Sequence, residues 1–306
     1  MPFLERHRSS YKMGALAQYA ILETAASARK PSSLTFETAA ALPVVGLTAL
    51  QAVRDCAGLP LPVPAAKLSA EQKGSNSTIS SSRSMSNGSN ECSSGSRARV
   101  LVANASGGVG HLAVQLAKAA GAHVTATVGA RNLAFARNVL GADEVFDYNS
   151  TAGKQLFHSP SPSPAPGTSF TAPAAAAAAA QVASSSDPPI TELYDAVIDF
   201  SPNSLPVSAV DRVLRPQGRW VHVELPLSLL ALGLWRRLAC RPRKLWPVMM
   251  EMMESKGADL AVLGRIAEEG KVRMVVESSV AFEEAREAWR RSMAGHVTGK
   301  LVVRME

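Results

Sequence analysis

The chain has 306 residues, 46% hydrophobic and 5% aromatic, with a formal net charge of +7. The three cysteines, Cys56, Cys92 and Cys240, lie far apart and outside any CxxC or Cys/His spacing, which argues against a disulfide framework and against a zinc site. The basic balance comes without a dense Lys/Arg block interleaved with aromatics, so no nucleic-acid partner is expected.

No secretory signal pattern opens the sequence, and no apolar run reaches the length of a spanning helix. Residues 60–98 and 158–189 are poor in large apolar side chains and rich in Ser, Pro, Gly or Ala. Such composition cannot bury enough surface to offset chain entropy, so both are expected to be disordered insertions. Between and beyond them the chain alternates. Strand-like runs are predicted at Val100–Asn104, Val124–Val128, Glu144–Tyr148, Ala196–Phe200 and Trp220–Val223. Helix-like runs are predicted at Val109–Ala120, Leu133–Leu140 and Pro206–Leu214. A helix over 282–293 and a strand over 299–305 close the pattern. Nearly continuous apolar strands alternating with helices predict an α/β fold, a doubly wound parallel sheet. The run 225–235, "LPLSLLALGLW", is followed by Arg236, Arg237, Arg241, Arg243 and Lys244. It reads either as a buried loop or subunit contact, or as a peripheral membrane contact.

The stretch 105–110, "ASGGVG", follows the first strand and opens a helix. In that setting an AxGxxG pattern predicts a dinucleotide cradle. Gly107 lets the backbone approach a pyrophosphate, Gly110 lets the helix lie close to the strand, and the helix N-terminus offers its free N–H groups. Val109, Leu112, Ala113, Leu116 and Ala120 predict one apolar helix face. The second strand ends "TATVGARN" with no carboxylate to hold ribose hydroxyls. Gly129 and Ala130 leave room there, and Arg131 brings a guanidinium fork suited to phosphate, which favours NADPH over NADH.

Five stretches in order carry a resemblance: 41–53 "ALPVVGLTALQAV", 100–132 with the glycine cradle, 140–148 "LGADEVFDY", 194–200 "YDAVIDF" and 295–303 "GHVTGKLVV". Together they resemble the zinc-independent quinone oxidoreductases of the medium-chain dehydrogenase/reductase superfamily, most of all plant chloroplast quinone oxidoreductase homologs and alkenal (enone) reductases. The resemblance implies a Rossmann domain joined to a GroES-like substrate domain, with NADPH between them. It implies Thr48 beside the nicotinamide, and Ser106, Gly107, Gly108, Val109 and Gly110 along the pyrophosphate. Gly129, Ala130, Arg131, Asn132 and Tyr148 would surround the 2′-phosphate. The family segment that precedes the equivalent of 14–22 "GALAQYAIL" has no counterpart here, so the GroES-like domain is expected to be incomplete. The expected division is 1–42 as its remnant, 43–245 as the NADPH-binding domain, and 246–306 returning to it. The implied activity is hydride transfer to quinones or α,β-unsaturated carbonyls, with a chloroplast location and a homodimer. A non-catalytic NADPH-binding module, a peripheral membrane protein and a zinc alcohol dehydrogenase relative stay open as alternatives.

Overall fold

Thr35 has extended backbone and its hydroxyl accepts from Thr38 N at 3.3 Å, which starts helix α1 (Phe36–Leu50) in the manner of an N-cap. The computed structural model describes residues 18–19, 24–62, 97–151, 153–154, 193–201, 205–223, the backbone of 244–247, and 257–305. The expected insertion 158–189 lies wholly outside the described residues, and the expected insertion 60–98 does so except at its edges. At one edge Leu61 is buried, so the folded part extends past residue 60. The 225–243 run also lies outside them.

One sequence expectation needs correction. α1 runs on into a wider, π-helical turn, Gln51–Cys56, and the 21-residue helix so formed is long and apolar enough to cross a membrane. Interruption by Pro43, Gly46, Thr48 and Gln51 hides its length in a search for an unbroken apolar run. Here the helix is a core element, with Leu42, Val45, Ala49, Leu50, Ala52 and Val53 buried. Arg54 near its end is buried as well, where it donates from Nη1 to Asp259 (2.8 Å) and from Nε to Asp55 (2.7 Å).

The central sheet has six strands: β1 (Arg99–Ala103), β2 (His123–Val128), β3 (Glu144–Asp147), β4 (Tyr194–Asp199), β5 (Leu214–His222) and β6 (Lys244–Pro247). Their order is β3-β2-β1-β4-β5-β6 and every pairing is parallel. The helices between them are α2 (Gly110–Ala119), α3 (Leu133–Asn138) and α4 (Val207–Val213). Alternate strand residues serve opposite faces. Val100, Val102, Ala196, Ile198 and Val221 join the core beneath α1 and α2, while Leu101, Ala103, Val197 and Trp220 face α4. Each large apolar side chain buried this fully contributes about 1.5–3 kcal/mol.

β5 begins six residues before its predicted start. The register slips between Tyr194↔Leu214 and Ala196↔Arg219, so the irregular stretch 215–218 accommodates Pro216, which lacks an N–H, and Gly218. The strand β6 falls at the end of the basic run that sequence alone left as a loop or surface contact. α2 also differs from expectation. It is buried almost all round, including His111 and Gln115, because further chain covers the side away from the sheet.

That further chain consists of α5 (Gly257–Glu268), β7 (Val276–Ala281), α6 (Ala285–Met293) and β8 (Lys300–Arg304). α5 lays Val262, Leu263 and Ile266 into the α1–α2 core. β7 and β8 form a separate two-stranded parallel sheet with α6 beside it.

Candidate functional site

In this strand order the connections run off in opposite directions from β1 and β4, and the crevice between their carboxyl ends is where such sheets receive ligands. Asn104 ends β1 in the left-handed region (φ 56°), and its side chain donates from Nδ2 to Phe200 O at 3.0 Å, tying the two strand ends together. Gly107 N then donates back to Asn104 O at 3.2 Å, folding 104–107 into a tight turn ahead of α2.

The glycines of this turn differ in what they permit. A Cβ at Gly110 would stand 2.2 Å from Asn104 O and 2.9 Å from Ala105 Cα, so only glycine lets α2 start this close to the strand. A Cβ at Gly107 would meet Asn104 Nδ2 at 3.1 Å. At Gly108 it would meet Lys300 Cδ at 2.9 Å and Val45 Cγ1 at 3.6 Å. Gly108 therefore lets α1 and β8 converge on the cradle. Ser106 is buried and its carbonyl accepts from Gly299 N at 3.0 Å. Val109 is the residue before α2 and is half-buried. Thr48 lies one turn beyond Val45 on α1, buried, with its hydroxyl donating to Val44 O at 2.8 Å.

The far end of the crevice forms after β2. Tyr148 N donates to Val128 O at 3.1 Å, which sets the Tyr148 ring beside Gly129. A Cβ on Gly129 would stand 3.2 Å from the phenol oxygen. Ala130, Arg131 and Asn132 make one 3-10 turn, with Ala130 and Arg131 exposed and Asn132 buried. Arg131 donates from Nη2 to His296 O, and Thr298 Oγ1 donates to Asn132 Oδ1 at 3.2 Å. The residues expected to surround a 2′-phosphate are thus adjacent in space, on a rim shared with the 296–300 turn.

Sequence reading missed that turn as a site component. The resemblance rests in part on "GHVTGKLVV", which by itself assigns no role to His296, Thr298 or Lys300. The signal available was glycine: Gly295 and Gly299 both have φ of 74°, and a Cβ on Gly299 would strike Val275 O at 2.3 Å. His111 was missed too. Burial holds its imidazole below the ordinary histidine pKa, and the charge of Lys300 acts in the same direction.

The exposed arginine, the tyrosine hydroxyl, the carboxylate-free end of β2 and the glycine cradle at a helix N-terminus fit a phosphorylated dinucleotide. Among the described residues no activated nucleophile accompanies them. Burial, with Asp55 adding, pushes the Cys56 thiol up to about 11. Among the described residues no three His, Cys, Asp or Glu side chains cluster to hold a metal ion.

Residues 169–303 match a family described as zinc-binding dehydrogenase. Over 95% of its length the chain is 32% identical to the chloroplast envelope quinone oxidoreductase homolog of Arabidopsis thaliana, covering 68% of that protein. It is 28% identical to the mitochondrial NAD(P)H oxidoreductase RTN4IP1 of Mus musculus, over 96% of this chain and 62% of that one. Among solved structures, a quinone oxidoreductase from Coxiella burnetii shares the fold, with a TM-score of 0.57 and 24% identity over 91% of this chain and 63% of that one. The chain spans about two thirds of the length of these relatives.

Proposed function

The chain belongs to the quinone oxidoreductase family of the medium-chain dehydrogenase/reductase superfamily, and on that premise we propose that it is an NADPH-dependent reductase of quinones or α,β-unsaturated carbonyls. The observation that carries the reading is the β1–α2 cradle at the switch point, where Gly110 admits no side chain and α2 presents its N-terminus. Ser106, Gly107, Gly108 and Val109 would line the pyrophosphate, with the N–H groups of the first helical turn as donors. Gly129, Ala130, Arg131, Asn132 and Tyr148 would hold the 2′-phosphate, Arg131 through its planar fork. Thr48 would stand at the nicotinamide end.

When bound, NADPH supplies a hydride for an electron-poor double bond. The chain's own task is orientation and exclusion of water, which needs no acid–base pair among these residues. An acceptor of this class requires only an activated double bond and an apolar wall. We retain the expected division, 1–42, 43–245 and 246–306, as part of the proposal. The chloroplast location follows the Arabidopsis relative's name and is proposed with it.

The test is calorimetric titration of the purified chain with NADPH and with NADH, then NADPH oxidation with a benzoquinone and with an enal. Tighter NADPH binding and acceptor-dependent oxidation are expected. Arg131→Ala is expected to weaken NADPH about tenfold and leave NADH unchanged, the effect of one charge-assisted contact. Binding without turnover would reduce the protein to a nucleotide-binding module, and no binding of either nucleotide would overturn the whole reading.

A further inference from the structure

α2 carries two buried polar side chains among apolar neighbours. His111 and Gln115 stand four residues apart, so they lie one above the other on one face. Both grip the same crossing segment, residues 272–275, which no helix or strand contains. Gln115 Nε2 donates to Arg273 O at 3.0 Å and its Oε1 accepts from Arg273 N at 2.7 Å, a paired bond like that of a neighbouring strand. Val275 N donates to His111 Nε2 at 3.3 Å. The imidazole proton therefore sits on Nδ1, which donates to Gly107 O at 2.9 Å.

The bonds continue into the cradle. Lys300 N donates to Val275 O at 3.0 Å and Gly299 N donates to Ser106 O at 3.0 Å. A closed circuit results: Gly107 to His111, His111 to Val275, Val275 to Lys300, and Gly299 back to Ser106. It holds the 296–300 turn against the glycine cradle and the stem of Lys300 over Gly108. A leucine at position 111 would fill core volume without desolvating a polar ring, but it could make neither bond.

We propose that His111, assisted by Gln115, is a positioning residue for the nucleotide: it fixes the 272–275 segment and thereby the turn that completes the phosphate cradle. This rests on the cradle being a nicotinamide-nucleotide site. A protonated ring could not accept from Val275 N, so the clip requires the neutral form. Lys300 from β8 is the charged group acting on the ring. The Arg273 side chain, from the crossing segment, is exposed, and α1 and β1 bring apolar side chains to this core.

The experiment compares wild type, His111→Leu and His111→Gln, the last retaining a donor and an acceptor. Hydrogen exchange is measured by mass spectrometry on the full chain without nucleotide, and NADPH affinity is then titrated between pH 5 and 8. In His111→Leu, exchange over 273–275 and 299–300 is expected to rise about tenfold while β1, β2 and β4 stay protected, and NADPH affinity to fall about tenfold. His111→Gln should recover most of both. The affinity of wild type relative to His111→Gln, a ratio in which the titration of the cofactor's own phosphate cancels, should fall as pH drops below the ordinary histidine value of ~6.5. If His111→Leu does not fold, Gln115→Leu tests the same segment. Unchanged exchange at Val275 and Gly299 would overturn the clip. Faster exchange with unchanged NADPH affinity would overturn its role in positioning. A wild type that binds no NADPH would sink the cofactor reading and the positioning role with it, while the exchange data would still report separately on the clip.

Discussion

The two parallel sheets of this molecule are held in opposite ways. In the six-stranded sheet, four of the five residues of β1 are buried, with helices on both faces. In β7 three of six residues are exposed and none is fully buried. A two-stranded ribbon is marginal by itself, and β7–β8 is a ribbon with exposed Trp289 and Met293 on the helix beside it. The large sheet supplies its own core. The small one takes its order from bonds that reach α2 and the cradle through Val275 and Gly299, and from the packing of β8 on α1. Stability and the candidate site are therefore coupled in one direction: damage to the cradle reaches both sheets, while damage to the ribbon should spare the larger one.

The largest break should come from Gly110→Ala. Its Cβ would lie against backbone that cannot move without displacing β1 or α2, so a loss of about 3 kcal/mol or more is expected, read as a fall in thermal midpoint, with nucleotide binding lost. Next is Asp259→Ala, which leaves Arg54 buried with Asp55 as its remaining carboxylate. About 2–3 kcal/mol in a denaturant titration is expected, because Asp55 softens the usual cost of breaking a buried pair. Gly299→Ala places a Cβ against Val275 O in a left-handed backbone. It should cost about 1–2 kcal/mol, with faster amide exchange confined to β7, β8 and the 296–300 turn. A uniform rise in exchange would show that the two sheets are one cooperative unit.

Acid should separate the regions as well. His111 has its pKa lowered on folding, so its contribution is fully present above the unfolded value of about 6.5 and is lost as pH falls below it. Burial pushes Asp143 up, but the Lys118 ammonium and the Val124 N–H outweigh it and hold the carboxyl below its usual value. Its contribution persists until pH falls below about 3.9. Protection over 272–300, with exchange corrected for its intrinsic pH dependence, should therefore fall as pH drops below about 6.5 while β2 stays protected. Smallest of all, Gly121→Ala changes an open left-handed turn where a Cβ meets nothing. About 1 kcal/mol is expected, with nucleotide affinity unchanged.

The same contrast governs what could be read from the sequence. β1, α2 and β2 were legible because local periodicity and "ASGGVG" speak within thirty residues of one another. The front half of β5 was not, since Pro216 and Gly218 look like an ending until the neighbouring strand absorbs them as an irregularity. Gly129 and Tyr148, expected around one spot, lie side by side, while the Arg131 guanidinium goes to the His296 carbonyl. What they share with the 296–300 turn stayed hidden because nothing local to Arg131 signals His296. His111 and Gln115 carry no local signal of their role. Their partners lie more than 150 residues downstream.

That distance has a consequence for how the chain is made. α1 packs on α2, which follows soon after it, but also on α5 and β8, elements that begin more than 200 residues later. At synthesis rates of ~5–20 residues per second, a greasy 21-residue helix waits on the order of ten to fifty seconds for the surface that covers it. During that interval the nascent chain leaves part of this helix uncovered, the one segment among the described residues that is long and apolar enough to pass for a membrane span.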